Sequence, residues 1–132
     1  MTFLTAISLL VILLVPIIHG AFAIQGDKYS ATLKNGVWET KVNKQVQITS
    51  DVTNNQDRSQ PFAYLVQIQN QDGVVVSLSW LSGSLDPGQS LNPSQSWTPT
   101  MLGTYNAQIF VWAGINNPDA LSSPLTMKIT VT

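Results

Sequence analysis

The stretch Gly103–Trp112, which reads Gly-Thr-Tyr-Asn-Ala-Gln-Ile-Phe-Val-Trp, decides the fold class. Its side chains alternate, with Tyr105, Ala107, Ile109 and Val111 on one parity and polar residues along most of the other. Alternation with a period of two over this length is typical of a β-strand that buries one face. The sequence therefore predicts a strand whose first parity faces a core.

Similar strands are predicted on both sides of this stretch. Apolar residues alternate from four further starting points, Val46, Phe62, Val74 and Leu125. Turn-forming residues separate these segments, and no helical period lies between them. A series of short strands punctuated by turns is typical of an antiparallel sandwich. A turn glycine before a Tyr-bearing strand near the chain end favours the immunoglobulin-like type. We therefore expect an all-β fold, an antiparallel immunoglobulin-like β-sandwich of about seven strands over residues 46–132.

The same parities predict which large side chains lie inside and which lie outside. Tyr64 follows Phe62 at even spacing and Trp80 follows Val74, so both are expected in the core. The opposite parity of two strands expected to be near each other carries Leu65, Phe110 and Trp112. These three would form an apolar patch on the outer face of a sheet, which is typical of a contact surface. The alternative is that residues 24–42 cover this patch.

The N-terminus carries a targeting pattern. Phe3–Ile18 is almost wholly apolar, and Ala21 and Ala23 supply the small residues of an A-x-A cleavage site. We expect a hydrophobic helix that acts as a secretory signal peptide, residues 1–23, cleaved after Ala23. Because no Lys or Arg precedes the apolar run, a retained membrane anchor helix stays open as the alternative. The protein is then exported, either extracellular or held at the cell surface with the sandwich outside.

Residues 24–45 form a section of their own, a hairpin or arm. Asn35-Gly36 lies between two short strand-like segments, and this pair favours a tight hairpin turn. Four lysines against Asp27 and Glu39 give this section a charge of +2, and the remainder carries −3. Lysines on a solvated edge strand explain the excess; the alternative is a basic arm that binds an acidic neighbouring copy.

Composition argues against catalysis and against nucleic-acid binding. The net charge of −1 and the pI near 5.5 give no attraction to nucleic acid. The chain has no Cys, and its one His, His19, lies in the presumed leader, so thiolate and His-based metal or nucleophile sites are excluded downstream. Asn54, Asn55 and Asp57 give only a weak calcium signal. We expect no enzyme activity, no cofactor and no metal.

Three groups of residues carry a resemblance to a known family. These are Leu85–Ser90 (Leu-Asp-Pro-Gly-Gln-Ser), Ser96–Pro99 (Ser-Trp-Thr-Pro) and Leu102–Tyr105 (Leu-Gly-Thr-Tyr). The series resembles CARDB-like and related immunoglobulin-like or fibronectin-type modules of exported archaeal and bacterial surface proteins. The resemblance implies that Trp97 supplies a buried ring and that Tyr105 acts as a tyrosine corner. It implies a spacer, adhesion or presentation role, with no shared catalytic site.

Three functional hypotheses follow. The first is a non-catalytic exported surface module that acts through protein–protein contacts in adhesion, presentation or envelope assembly, with a protein partner or a second copy. The second is a subunit of a surface filament or archaellum- or pilus-like assembly, built by strand addition of residues 24–42 or by a retained N-terminal helix. The third is a carbohydrate-binding module, which requires at least two tryptophans exposed side by side. The membrane is a partner only if the N-terminal helix is retained.

Overall fold

The structure is a computed structural model that describes residues 22–29, 32–34 and 37–132, with side chains described for Phe22 and for residues 37–132. Within these residues it contains eleven β-strands and no helix. The strands are β1 Phe22–Tyr29, β2 Thr32–Lys34, β3 Val37–Thr40, β4 Val46–Asn54, β5 Gln60–Gln69, β6 Val75–Leu85, β7 Ser90–Leu91, β8 Ser94–Trp97, β9 Gly103–Gly114, β10 Asn117–Ala120 and β11 Leu125–Val131.

The strands form two sheets that face each other across one core. The small sheet has the order β1-β4-β7, with β8 also paired to β4. The large sheet has the order β2-β3-β11-β9-β5-β6, with β10 paired to β9. The all-β sandwich is therefore confirmed. Residues 46–132 hold eight of the eleven strands, β4–β11, close to the expected seven, and the pairs among these eight are antiparallel. The one parallel pair described, β3–β11, includes a strand from outside this range.

The decisive stretch lies at the centre of the large sheet. β9 has β11 on one side and β5 on the other, and its residues Tyr105, Ala107, Ile109 and Val111 are all buried. On the facing sheet β4 buries every second side chain in the same way. The strand and the core-facing parity predicted from Gly103–Trp112 are confirmed: burial alternates along β9, with the apolar parity in the core and the other parity on the outer face.

Of the predicted N-terminal segment, residues 1–23, the structure describes only Phe22 and Ala23. Phe22 and Ala23 begin β1, so the predicted helix does not reach them, and the rest of residues 1–23 lies outside the described residues. Phe22 is buried, and its ring packs edge-on against Phe62 with centroids 5.6 Å apart. Cleavage after Ala23 remains a prediction, and it would remove Phe22 from the core. Within the residues described, no helix is long and apolar enough to cross a membrane.

Residues 24–45 contribute to both sheets. β1 pairs with β4 in the small sheet, and β3 pairs with β11 in the large one. Lys34 lies opposite Val37, which leaves the two residues between β2 and β3 that the hairpin prediction requires. The strand-addition hypothesis and the basic arm both need this segment to be free. They lose support, because the described strands of the segment are already paired within their own sandwich.

β6 departs from the predicted burial. Val74, Val76, Leu78 and Trp80 were expected inside, and they are 56%, 46%, 51% and 52% exposed. The expectation that Trp80 is a core residue is therefore wrong. The cause is the register of the β5–β6 hairpin. Ile68 lies opposite Ser77 but Gln69 lies opposite Val75, so one extra residue bulges out of β6 and moves Leu78 and Trp80 to the outer face.

Candidate interaction surface

The outer face of the large sheet brings together the three residues predicted as a contact surface. Leu65 on β5 lies opposite Phe110 on β9, and the next outward pair along is Ala63 with Trp112. The rings of Phe110 and Trp112 are 5.9 Å apart between centroids and tilted by 48°. β2 and β3 lie beyond β11 in this sheet, so the described strands of residues 24–42 are not stacked over this group.

Two residues that the sequence reasoning placed elsewhere complete the surface. Trp80 lies opposite Leu65 on the β6 side, and Leu78 follows one pair further along. Leu65 is only 3% exposed although it points outward, since Trp80 and Phe110 flank it in register. We call Leu78, Trp80, Phe110 and Trp112, with Leu65 between them, the outer patch. Its accessible area comes mainly from Trp80 and Leu78, because Phe110 and Trp112 are half-buried.

A polar rim bounds the outer patch. Gln67 and Gln108 form the next cross-strand pair on the same face, and Asn106 follows on β9. Lys128 on β11 is opposite Asn106 and is exposed. The residues of the patch itself carry no charge. An apolar centre with a polar, partly charged rim is the arrangement found in protein–protein contact surfaces.

Asn54, one of the three residues weighed for calcium, holds the neighbouring turns together through its side chain. The Asn54 amide donates to the carbonyl oxygens of Leu85 and Arg58, both at 2.9 Å, and to that of Asp86 at 3.2 Å. Its side-chain oxygen accepts the Gln56 amide at 3.0 Å. Both N–H groups of the Asn54 side chain and one lone pair of its oxygen are thus engaged within the protein. Among the described residues no group of three or more His, Cys, Asp or Glu is placed to hold a metal.

Three of the four aromatic residues expected in the core lie there. Tyr64 is fully buried, and its hydroxyl shares a hydrogen bond of 3.0 Å with Ser50 Oγ on the opposite sheet. This burial raises the pKa of the Tyr64 phenol above its ordinary value. Trp97 packs edge-on against Tyr105 at 5.0 Å. The Tyr105 hydroxyl donates to the Met101 carbonyl oxygen at 2.9 Å, the bond expected of a tyrosine corner. These residues hold the two sheets together.

Known structures share this architecture. The solution structure of the CARDB domain of a Pyrococcus furiosus protein superposes with a TM-score of 0.60 at 21% identity, covering 85% of this chain and 94% of that one. A crystal structure of the same domain, described as a complex with di-metal ions, gives 0.57 at 21% identity, covering 85% and 86%. A β-glucosidase from Listeria innocua reaches 0.61 at 10% identity over 83% of this chain, and the match spans 16% of that enzyme.

These likenesses show the fold alone and confirm the CARDB-like resemblance. No curated protein sequence matches the chain. The S-layer A-like family, in contrast, matches residues 27–131, which include nearly all the described strands. The chain therefore belongs to the S-layer A-like family.

Proposed function

We propose that this protein is a non-catalytic, exported module of the cell surface that acts through protein–protein contacts made by the outer patch. The observation that carries the proposal is the exposure of Trp80 and Leu78, each about half accessible, beside the half-buried rings of Phe110 and Trp112. Membership of the S-layer A-like family supports the surface location. The likeness to a CARDB domain supports the sandwich as the working unit.

The physical basis is the cost of leaving such a surface in water. Each Å² of apolar area withdrawn from water contributes roughly 25 cal/mol, so large rings contribute most. Tryptophan is among the side chains that dominate measured contact energies when a partner buries it. Since the patch lies on regular strands, its side chains are already held in place, and binding costs little further ordering. A partner with a flat apolar face of similar size fits this surface.

The export that we propose from the N-terminal sequence agrees with this role. Cleavage after Ala23 would release the sandwich from residue 24, and a retained apolar segment that ends before Phe22 would instead hold it at the membrane. Either form presents the outer patch outside the cell. The partner is another envelope protein or a second copy of this chain.

Trp80→Glu tests the proposal with little risk to the fold, because the side chain is half exposed on an edge strand. We expect the variant, produced in the form cleaved after Ala23, to fold normally and to appear in the medium rather than in the envelope fraction of the cells that produce it. Ser84→Glu is the matched control, since Ser84 is exposed on the same face of β6 but lies four residues beyond Trp80. The measurement is the ratio of envelope-bound to released protein.

Retention of Trp80→Glu at the level of the unmodified protein would contradict the role of the outer patch. Equal loss of the Ser84→Glu control would also contradict it, because the effect would then follow from added charge alone. Thermal unfolding, monitored by circular dichroism, checks that both variants are folded.

A carbohydrate-binding function is the second candidate, and the exposure of Trp80 favours it. Trp80 and Trp112 lie on one face on either side of β5, although only Trp80 is as much as half exposed. Aromatic side chains on a flat face can stack on sugar rings. Titration with envelope polysaccharide, monitored by tryptophan fluorescence, distinguishes this candidate. A saturable change in fluorescence that Trp80→Ala abolishes supports glycan binding. Fluorescence that stays constant throughout the titration contradicts glycan binding.

A further inference from the structure

β6 ends the large sheet with a long unpaired edge. It lies last in the strand order, next to β5, and no described strand pairs with its other side. Its eleven residues, Val75–Leu85, contain no Lys, Arg, Asp, Glu or Pro. Alternate backbone N–H and C=O groups of an edge strand point away from the sheet and are available to another chain.

The other described edges are short or carry charged residues, whereas β6 is long and uncharged and has its one bulge near its start, at Val76. β1 carries Asp27 and Lys28 in its sequence and a register shift between Gln25 and Lys28. β2 has three residues and includes Lys34, and β7 and β8 have two and four residues. Short length, charge and bulges are the devices by which proteins prevent edge-to-edge pairing. Among the described edges β6 alone is long and uncharged.

We propose that the β6 edge pairs with β6 of a second copy of this chain, antiparallel and related by a two-fold axis at Ser79. The proposal rests on the proposed function, in that it names a second copy as the protein partner. An uncharged edge meets its own copy without like-charge repulsion, and an edge that pairs with itself forms a closed two-fold contact. Pairing satisfies the free backbone groups of both copies, as in β-strand addition.

The axis at Ser79 follows from the exposed side chains. In this register Leu78 lies opposite the partner's Trp80, and Trp80 lies opposite the partner's Leu78. Leu78 and Trp80 are the large apolar residues that the regular part of β6 leaves about half exposed on the outer face. An aromatic ring directly opposite an aliphatic side chain is a favourable cross-strand pair. An axis at Trp80 would instead place Leu78 opposite the partner's Ser82. An axis at Leu78 would place Trp80 opposite the partner's Val76, which lies in the irregular bulge.

The dimer would also join the two outer patches. On each copy, Leu65 on β5 and Phe110 on β9 are the next cross-strand neighbours of Trp80 away from the edge. The same outer face therefore continues through the contact. The two large sheets then form one continuous sheet with an apolar strip across its middle. Self-pairing thus uses the most exposed half of the outer patch and leaves Phe110 and Trp112 beside it.

Cysteine substitution tests the register directly, because the chain contains no cysteine of its own. Paired residues at the axis have Cα atoms about 4.5–5.5 Å apart, within the range that a disulfide spans. We expect full-length Ser79→Cys to form a covalent dimer on mild oxidation. Ser77→Cys is the matched control: the two copies of this residue would lie roughly 13 Å apart along the strands. Monomeric Ser79→Cys, or equal cross-linking of both variants, overturns the proposed register.

Charge complementation tests the pairing independently. One variant carries Leu78→Lys with Trp80→Lys, and the other carries Leu78→Glu with Trp80→Glu. Each variant alone places like charges opposite each other and is expected to sediment as a monomer. An equal mixture places opposite charges together and is expected to restore the dimer. Analytical ultracentrifugation gives the measurement, and circular dichroism confirms folding. If either variant dimerises alone, or if the mixture stays monomeric, β6 pairing is wrong.

The outcomes separate this inference from the proposed function. A wild-type protein that is monomeric at every concentration overturns the self-pairing, and the Trp80→Glu retention experiment then decides the proposed function by itself. A wild-type dimer that neither the cysteine nor the charge variants affect overturns the β6 contact alone. Loss of envelope retention without any dimer shows a different protein on the outer patch.

Discussion

β5 and β6 are neighbours with similar apolar content, yet the sandwich uses them in opposite ways. β5 reads Gln-Pro-Phe-Ala-Tyr-Leu-Val-Gln-Ile-Gln and buries five consecutive residues, Phe62–Val66. β6 reads Val-Val-Ser-Leu-Ser-Trp-Leu-Ser-Gly-Ser-Leu and buries only Leu85. β5 has a strand on each side, so neighbouring side chains cover even its outer face. β6 has one neighbour. The position of each strand in the sheet, rather than its hydrophobicity, therefore decides how many of its side chains are buried.

The largest expected effect compares one aromatic residue from each strand. Phe62→Ala removes a buried ring and should lower the free energy of unfolding by ~3–5 kcal/mol. Trp80→Ala removes a larger ring that is half exposed and should lower it by no more than ~1 kcal/mol. Urea denaturation at low protein concentration, where self-association is absent, measures both. Equal losses would show that the Trp80 ring is as well packed as that of Phe62.

The sequence was enough to predict β9, the presence of turns between the strands and the fold class. These depend on local alternation and on residues with special backbone angles. Gly73 and Gly88 have φ values of +76° and +71°, as their turns require. Asn70 accepts the amides of Asp72 and Val74 at its side-chain oxygen, which closes the β5–β6 turn. Such features are set by a few adjacent residues and can be read without knowing the rest of the fold.

The face of β6 was beyond sequence reasoning because it depends on one bulge. A hairpin continued regularly from Asn70 opposite Val74 would place Trp80 opposite Tyr64, inside the core. The extra residue near Val76 places Trp80 opposite Leu65 instead. A shift of one residue exchanges the two faces of a strand, so the alternation alone places Leu78 and Trp80, two of the five residues of the outer patch, in the core. Leu65, Phe110 and Trp112 were found because β5 and β9 pair without such a shift.

A second prediction concerns the point where β6 contacts the core of β5. Gly83 lies opposite Phe62, and a Cβ atom at Gly83 would be 3.2 Å from the Phe62 ring. That ring is held against Phe22 and has little room to move. We expect Gly83→Val to lower the free energy of unfolding by ~1–3 kcal/mol through overpacking.

Ser84→Val is the control for this substitution, since Ser84 is exposed on the outer face next to Gly83. It should change stability by no more than about 0.5 kcal/mol. The same urea measurement serves both variants. A neutral Gly83→Val would show that β6 is loosely attached to β5 along this part of the hairpin.

The smallest expected effect tests the link from β5 to the opposite sheet. Tyr64→Phe removes the hydroxyl that bonds Ser50 Oγ and leaves a buried serine without that partner. We expect a loss of ~1–2 kcal/mol. Ser50→Ala should cost a similar amount, and the double variant should cost less than the sum, because each single change already breaks the same bond.

The pH dependence of stability gives this prediction a signature that packing alone would not produce. Burial raises the pKa of Tyr64 in the folded protein above the ordinary value of 10.0, so the unfolded chain loses this proton first as pH rises. The stability that depends on the neutral phenol is complete below about pH 10 and is lost as pH rises beyond it. Tyr64→Phe should therefore lose less stability between about pH 9 and about pH 11 than the unmodified protein. Because the other tyrosines are common to both proteins, parallel losses would mean that Tyr64 ionises as freely in the fold as in water.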